Sequence, residues 1–514
     1  MVASLPIVLA ASDLARAVPG LRVSVDDADR VTYSRDLWPR HHMAVRAGDV
    51  AKNPPRAIVW PTTPEQVAAI VRWAGPRGVP LVPFGAGSGV CAGVFPSREA
   101  IIVDLKRMSA TREVDVEGGT VIAEAGAMGV PFEVGLNRRG VTLGHFPSSI
   151  LCSTVGGWVA GRSAGQASGY YGKIEDMVVG VECVTGRGDV VHLPHRAHGP
   201  SLVPMVVGSE GTLAIVTAAR LRVHPAPTVR SFGAWSFPST RHGWEALRAM
   251  FQSGMRPAIA RLYDPFDAML ARRGSVKKDG KKPAPGMGAG ALRAMLKNPR
   301  VINELLESRI GARALGGSLL IVIFEGRDDA AHEDMLRARA LAEAMEGHDE
   351  GELPARNWLE HRYSVSYRQA PLFREGLFVD TMEVAAKWSS LGDLYDGVRR
   401  ALGKHVFVMA HFSHAYPDGC CIYFSFAGTA APDAKGAWDT RCEATYDRAW
   451  RGALAAAVDA GGTLAHHHGA GRSKAPRLPA ELGVGLDLFR AAKRAFDPYG
   501  ILNPGALVPE GAVP

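Results

Sequence analysis

The chain has 514 residues, 47% of them apolar and 21% charged, a composition that suits an ordinary globular protein of two to four domains. No apolar run approaches the ~18 residues that a membrane-spanning helix requires. The formal charge of +8 admits nucleic acid, anionic lipid or acidic substrates as partners.

Met1 to Ala11 is a short apolar patch with no Lys or Arg before it, which predicts no signal peptide. Residues 1–50 read as an extension that packs on another part of the chain. In Thr62-Thr63-Pro64-Glu65-Gln66, Thr63 suits an N-cap, Pro64 the first helical position and Gln66 the end of a capping box. Val67, Ile70, Val71 and Ala74 continue at helical spacing as far as Gly75. The run Val79-Pro80-Leu81-Val82 predicts a buried strand. It leads into Pro83-Phe84-Gly85-Ala86-Gly87-Ser88-Gly89-Val90, and a second apolar run follows at Ala100 to Leu105.

Glycines at alternate positions let successive N–H groups turn toward one anion. A dinucleotide pyrophosphate is therefore the first candidate for this loop, with a tight glycine hairpin as the alternative. A Rossmann fingerprint needs a helix directly after its glycines. Here the pattern is strand, loop, strand.

Residues 111–145 repeat the rhythm, with a strand near Thr120 to Ala123, a helix from Pro131 to Arg139 and Gly140 as its stop. Pro147 to Asp176 is dense in Gly, Ser and Ala, so its backbone can line an extended ligand. Gly161-Arg162-Ser163-Ala164-Gly165 matches a nucleophile elbow, but no apolar strand precedes it, and the elbow is set aside. Gly208-Ser209-Glu210-Gly211-Thr212-Leu213 leads into a strand-like run from Ala214 to Thr217.

Composition shifts near Pro225. From 226 to 465, apolar strands (317–324, 377–382, 406–409, 420–426) alternate with helical patterns at 332–346 and 436–460, which is α+β organisation. The predicted partition is an extension at 1–50, a first domain at 51–225, a second at 226–465, and a segment at 466–514 that returns to the first. The one dense basic run, Lys277, Lys278, Lys281 and Lys282, lacks the interleaved aromatics that stack on bases. It reads as a solvated loop, which speaks against nucleic acid and keeps an anionic membrane surface as the minority alternative. Six cysteines lack metal-type spacing and predict reduced thiols in a cytosolic protein. The residues Glu510 to Pro514 match no retention or peroxisomal tag.

Two clusters carry chemistry. His466-His467-His468 lies between glycines; three adjacent histidines cannot share one face of a strand, and no local Cys or carboxylate stands at zinc spacing, so no metal site is expected. A positively polarised or proton-donating loop is the preferred reading. The second cluster is His411-Phe412-Ser413-His414-Ala415-Tyr416 followed by Cys420-Cys421-Ile422-Tyr423-Phe424, where alternation puts Tyr423 on the face opposite Ile422 and Phe424. Removing a phenol proton at pH 7 costs roughly 4 kcal/mol, so a basic role for Tyr423 demands cations or histidines beside it.

Taken in order, Pro83-Phe-Gly-Ala-Gly-Ser-Gly, Gly144-His145, Ser153-Thr-Val-Gly-Gly-Trp158, Tyr171-Gly with Ile174-Glu-Asp176, and Gly208-Ser-Glu-Gly-Thr-Leu213 resemble the FAD-binding domain of the vanillyl-alcohol oxidase type. Arg261-Leu262, Cys421-Ile-Tyr-Phe424 and Gly461-Gly-Thr-Leu-Ala-His-His-His-Gly469 are similar to the alkyldihydroxyacetonephosphate synthase family. Related D-lactate and glycolate dehydrogenases usually carry a Gly-Glu-His-Gly version of the last motif. The resemblance implies an α+β protein with a two-part FAD-binding domain and an α+β cap, or substrate, domain. It implies noncovalent FAD held by Pro83, Phe84, Gly85, Ala86, Gly87, Ser88 and Gly89, by Pro147, Ser148, Ser149, Ile150, Ser153, Thr154, Gly156 and Gly157, by Gly161, Arg162, Ser163 and Ala164, and by Glu210, Gly211, Ile215 and Val216.

The family exchanges the acyl chain of acyl-dihydroxyacetone phosphate for a long-chain alcohol, with no net flavin redox change. By the same resemblance Tyr423 takes a proton from the substrate carbon, Arg374 binds the phosphate, and Arg261, His466, His467 and His468 are required for activity. A homodimer, peripheral to an anionic membrane, is expected. Ser148 stands where the family has Asp, and Gly161 where it has Thr. His145 is expected not to anchor the flavin covalently. An FAD-linked 2-hydroxy acid oxidoreductase is the principal alternative, and a noncatalytic basic protein a third.

Overall fold

The computed structural model describes residues 7–46, 53–195, 198–275, 296–364, 372–373, 376–430 and 439–509. The first sheet runs, in spatial order, Arg22–Ser24, Ala57–Trp60, Ile101–Asp104, Leu81–Phe84. Its last three strands are parallel, and the crossover between Ala57–Trp60 and Leu81–Phe84 contains the helix Pro64–Ala74. Thr63 Oγ1 caps that helix by accepting the Gln66 N–H at 3.2 Å. Gln66 reaches back to the Thr62 N–H, one residue before the expected partner. Val67, Ile70 and Val71 are wholly buried against the sheet.

The N-terminal extension is not a separate arm. Arg22–Ser24 pairs antiparallel with Ala57–Trp60, and the Trp38 indole N–H donates to the Tyr446 hydroxyl at 2.9 Å, 408 positions away. A second, antiparallel sheet orders Thr111–Asp115, Thr120–Glu124, Ala214–Arg222, Val178–Thr185 and Val190–Pro194.

The third sheet has seven antiparallel strands: His348–Asp349, Val229–Phe237, Ser318–Gly326, Ile259–Tyr263, Phe407–Ala415, Gly419–Thr429 and Leu377–Lys387. Side chains alternate across it. Leu262, Leu320, Val322, Phe412, Ile422 and Phe424 point to one face and pack with Leu247, Met250, Met335, Val398 and Leu454 of the covering helices. Ile259, Tyr263, Ile321 and Ile323 point to the other and join the core of the first half, beside Val67, Leu143 and Tyr171. The sheet therefore presents one face to its own helices and the other to the cofactor half. The segment near 501–503 lies along the first sheet: Leu81 N–H donates to Ile501 C=O, and Asn503 N–H to Leu81 C=O, each at 2.8 Å.

Candidate active site

Pro83 and Phe84 close the strand Leu81–Phe84, and Gly85, Ala86, Gly87, Ser88 and Gly89 form the loop beyond it. A Cβ at Gly85 would collide with Thr154 Oγ1, the hydroxyl that caps the helix Val155–Gly161 by accepting the Gly157 N–H. A Cβ at Gly156 would lie 2.6 Å from that of Ala125. The 85–89 loop thus rests at Gly85 on the Thr154 side chain of the 153–157 turn, and that turn rests at Gly156 on Ala125.

Around them, Pro147, Ser148 and Ser149 lead into the short 3₁₀ turn Ile150–Cys152, and Ser153 Oγ accepts from the Trp158 indole at 2.8 Å. The helix ends at Gly161 with Arg162 in the left-handed region at φ 52°. A nucleophile elbow is thereby ruled out, because Ser163 follows a helix end instead of a strand. Ser163 Oγ lies 2.7 Å from His145 Nε2, and Ala164 is buried. Glu210 N–H donates to Ala160 C=O at 2.9 Å, and Gly211, at φ 71°, sits against Pro83. The predicted cofactor segments therefore converge. Ile215 and Val216 are buried in the strand Ala214–Arg222, so their side chains serve the core.

The facing sheet carries the second half of the site. Strand register sets His411, Tyr423 and Glu383 abreast on three adjacent strands, with Tyr263 opposite His411 on a fourth. Directly opposed residues in an antiparallel sheet share a face, here the one turned to the cofactor half. Strict alternation would put His414 on the other face from His411. A β-bulge between Phe412 and His414 pairs His414 with Cys421 instead, which brings both imidazoles to Tyr423. His411 stacks on the Tyr423 ring at 4.8 Å and 16°, and His414 Nε2 lies 3.5 Å from its hydroxyl. Arg261 Nη2 donates to His411 Nε2 at 2.8 Å, and His411 Nδ1 donates to Asp267 at 3.0 Å.

The three histidines descend onto this row from the sheet edge, where Thr463 N–H donates to Ala385 C=O. The loop is not extended, which is how adjacent imidazoles gather at one place. His467 Nε2 accepts from the Tyr423 hydroxyl, the His468 ring meets Tyr423 edge-on at 5.3 Å, and His466 Nδ1 lies 2.9 Å from His467 Nδ1. Glu383 accepts the backbone N–H of His466 at 2.6 Å and of His467 at 2.5 Å. Its other oxygen takes Lys474 Nζ at 3.3 Å.

Burial opposes ionisation of Glu383, yet Lys474 and His467 hold its carboxyl well below the usual range. Burial, with Cys421 and Glu383 nearby, pushes the Tyr423 phenol well up, and Arg261 opposes this without overcoming it. Burial, with His467 close beside them, brings His466 and His468 down to about 3. The positive field expected to ionise Tyr423 therefore leaves the phenol protonated. Among the described residues Glu383, Cys421, His466 and His467 bring ligand-type atoms within 4.8 Å of one another, a gathering that local spacing did not disclose. The Lys474 ammonium already occupies the carboxylate and burial drives the Cys421 thiol well up, so the chemistry there is that of a buried ion pair.

Tyr423, Arg261 and the three histidines are thus brought together, while Arg374 lies outside the described residues. His411 and His414 belonged to the second cluster read from the sequence, whereas Glu383, Lys474 and Asp267 went unrecognised as members of the site. A charge inside the apolar run Leu377-Phe-Val-Asp-Thr-Met-Glu-Val384 was the available signal for Glu383. Buried His145 Nδ1, Gln166 Oε1, Arg261 Nε and His468 Nδ1 have no protein partner, which suits a site whose ligand carries polar ring edges.

Residues 226–507 match the family described as FAD linked oxidases, C-terminal domain, and residues 55–194 match the FAD binding domain. The chain is 30% identical over 498 residues to the alkyldihydroxyacetonephosphate synthase of Dictyostelium discoideum, a match covering 94% of this chain and 78% of the relative. A solved alkyldihydroxyacetonephosphate synthase structure superposes with a TM-score of 0.73 at 28% identity, over 94% of this chain and 82% of that one. The fold is shared with p-cresol methylhydroxylase, at a TM-score of 0.72 and 18% identity over 98% and 97% of the two chains. FAD is the cofactor, and it fits what the site offers, bare backbone for a pyrophosphate and unpaired polar atoms for a ring. The chain belongs to the alkyldihydroxyacetonephosphate synthase family of FAD-binding flavoproteins.

Proposed function

We propose that this protein is a transferase that exchanges the acyl chain of an acyl-dihydroxyacetone phosphate for a long-chain alcohol, leaving an ether and a free fatty acid. The observation that supports it most is the row of Glu383, Tyr423 and His411, with the histidine loop upon it, on the sheet face turned to the cofactor half. FAD, held noncovalently by the converging backbone segments, supplies an electrophilic ring system whose oxidation state is unchanged overall. Tyr423 removes the proton from the substrate carbon. Arg261, fixed by His411 and Asp267, stabilises developing negative charge. Arg374 takes the phosphate, a task suited to the paired N–H groups of a guanidinium. The protein works as a cytoplasmic homodimer peripheral to an anionic membrane.

The test is an assay of the purified yellow protein with palmitoyl-dihydroxyacetone phosphate and labelled hexadecanol, without any electron acceptor. Labelled ether is the expected product. Bleaching of the visible flavin band by D-lactate or glycolate, with turnover through an added acceptor, would replace the reading with 2-hydroxy acid oxidation.

A further inference from the structure

We propose that Glu383, held by Lys474, is the positioning carboxylate of a proton relay that runs through His467 to Tyr423. The inference rests on the reading of Tyr423 as the base and adds what accepts the phenol's own proton. A phenol that stays protonated cannot take a second proton unless its first one leaves.

The geometry provides that exit. His467 Nε2 accepts from the Tyr423 hydroxyl, and on the far side of the same ring Nδ1 lies 3.0 Å from Glu383 Oε1. With the Nε2 lone pair toward the phenol the ring proton sits on Nδ1, which faces both the carboxylate and, at 2.9 Å, His466 Nδ1. Glu383 and Lys474 are both fully buried, and Lys474 also donates to the Glu383 main-chain carbonyl at 3.1 Å. A carboxylate that served packing alone would need only that ammonium. Glu383 also grips the backbone N–H groups of His466 and His467, which fixes where the imidazole stands.

The other groups around Tyr423 do not offer the same route. His414 Nε2 is farther away at 3.5 Å, and its Nδ1 meets Ser168 Oγ rather than a carboxylate. His411 is engaged by Arg261 and Asp267. The His466 and His468 rings touch the His467 ring, and Cys421 lies two residues from Tyr423 on its own strand.

In the step itself, the Tyr423 oxygen forms a bond to the proton leaving the substrate carbon while its original O–H bond breaks toward His467 Nε2. The C–H electron pair stays with the substrate. The imidazole becomes imidazolium, its charge balanced by Glu383, which is not protonated. The transfers reverse when the proton is returned.

The parent holoenzyme is assayed first: if it makes no ether, the reading of the reaction has failed, and the variants are scored on whatever turnover it shows. Glu383→Gln leaves a buried ammonium unpaired, so the double variant Glu383→Gln/Lys474→Met is made beside it. With FAD bound, either variant is expected to lose about 10²–10⁴-fold in kcat with KM little changed, and its pH profile is expected to move. Glu383→Asp, which restores the charge, is expected to recover about tenfold of the loss. An FAD-bound Gln variant within about threefold of parental turnover, on an unaltered pH profile, would overturn the relay. So would failure of both Gln variants to hold FAD, which would leave Glu383 a structural role alone.

Discussion

Glu210 Oε1 accepts the Ala470 N–H at 2.7 Å, and the Glu210 carboxylate also takes the Gly471 N–H. That contact ties the segment just after the three histidines to the half of the chain that carries the glycine loop. The tie is reinforced where Ser473 N–H donates to Cys91 C=O at 3.1 Å and where Asn503 Nδ2 donates to Gly93 and Glu210 carbonyls. Glu210→Ala would leave two N–H groups without their acceptor, at about 1–3 kcal/mol for each that stays dry. Hydrogen exchange in 469–473 should accelerate above the rest of the chain, and turnover should fall. Parental protection in that segment would show the tie to be dispensable.

Tyr423→Phe removes one oxygen from a ring otherwise held by stacking on His411. The variant should keep its visible flavin spectrum and lose about 10²–10⁴-fold in turnover. Full activity in a yellow Tyr423→Phe protein would take the proton-abstracting role from Tyr423.

Local chemistry made part of this architecture readable. Thr63 and Pro64 announced a helix start that needs no distant partner, and period-two alternation placed Tyr423 away from Ile422 and Phe424. The strand Val229–Phe237 was missed because Arg230, Ser231, Gly233 and Ser236 interrupt its apolar pattern. The site was legible only as pieces. Glu383 and Lys474 are 91 positions apart, and alternation assigns His414 the wrong face unless the bulge before it is known. Such pairings belong to the sheet register, which a single sequence states weakly.

Gly85→Ala tests the cofactor cradle. Its new Cβ would meet Thr154 Oγ1, beside the Gly157 backbone, so loop and turn must separate. Overpacking of this kind costs about 1–3 kcal/mol, and FAD should bind at least about tenfold more weakly at equal protein stability. Gly135→Ala is the control, since a Cβ in that helix meets nothing within 4 Å, and a helical Gly→Ala change gains about 0.5–1 kcal/mol. Equal FAD affinity in the two variants would place the pyrophosphate elsewhere.

The last expectation concerns acid. Among the described residues burial lowers nine histidines: His41 to about 4, His145, His466 and His468 to about 3, and His42, His224, His405, His411 and His414 by direction. Burial raises five carboxyls: Asp36 and Asp380 to about 7, and Glu133, Glu210 and Asp264 by direction. An unfolded histidine takes up a proton below about pH 6.5 that its folded counterpart refuses, so these nine add stability that is present above that pH and lost on acidification. The five carboxyls act in the opposite sense, because the folded state holds protons that unfolded carboxyls release above about pH 4. Nine against five leaves net proton uptake on unfolding, and the depressed Glu383 adds to it. Each proton in that excess is worth about 1.4 kcal/mol per pH unit. The urea midpoint of the FAD-saturated protein should therefore drop between pH 7 and pH 5. A higher midpoint at pH 5 would mean that the buried carboxyls outweigh the imidazoles, and that the histidines of the site sit charged in the folded protein.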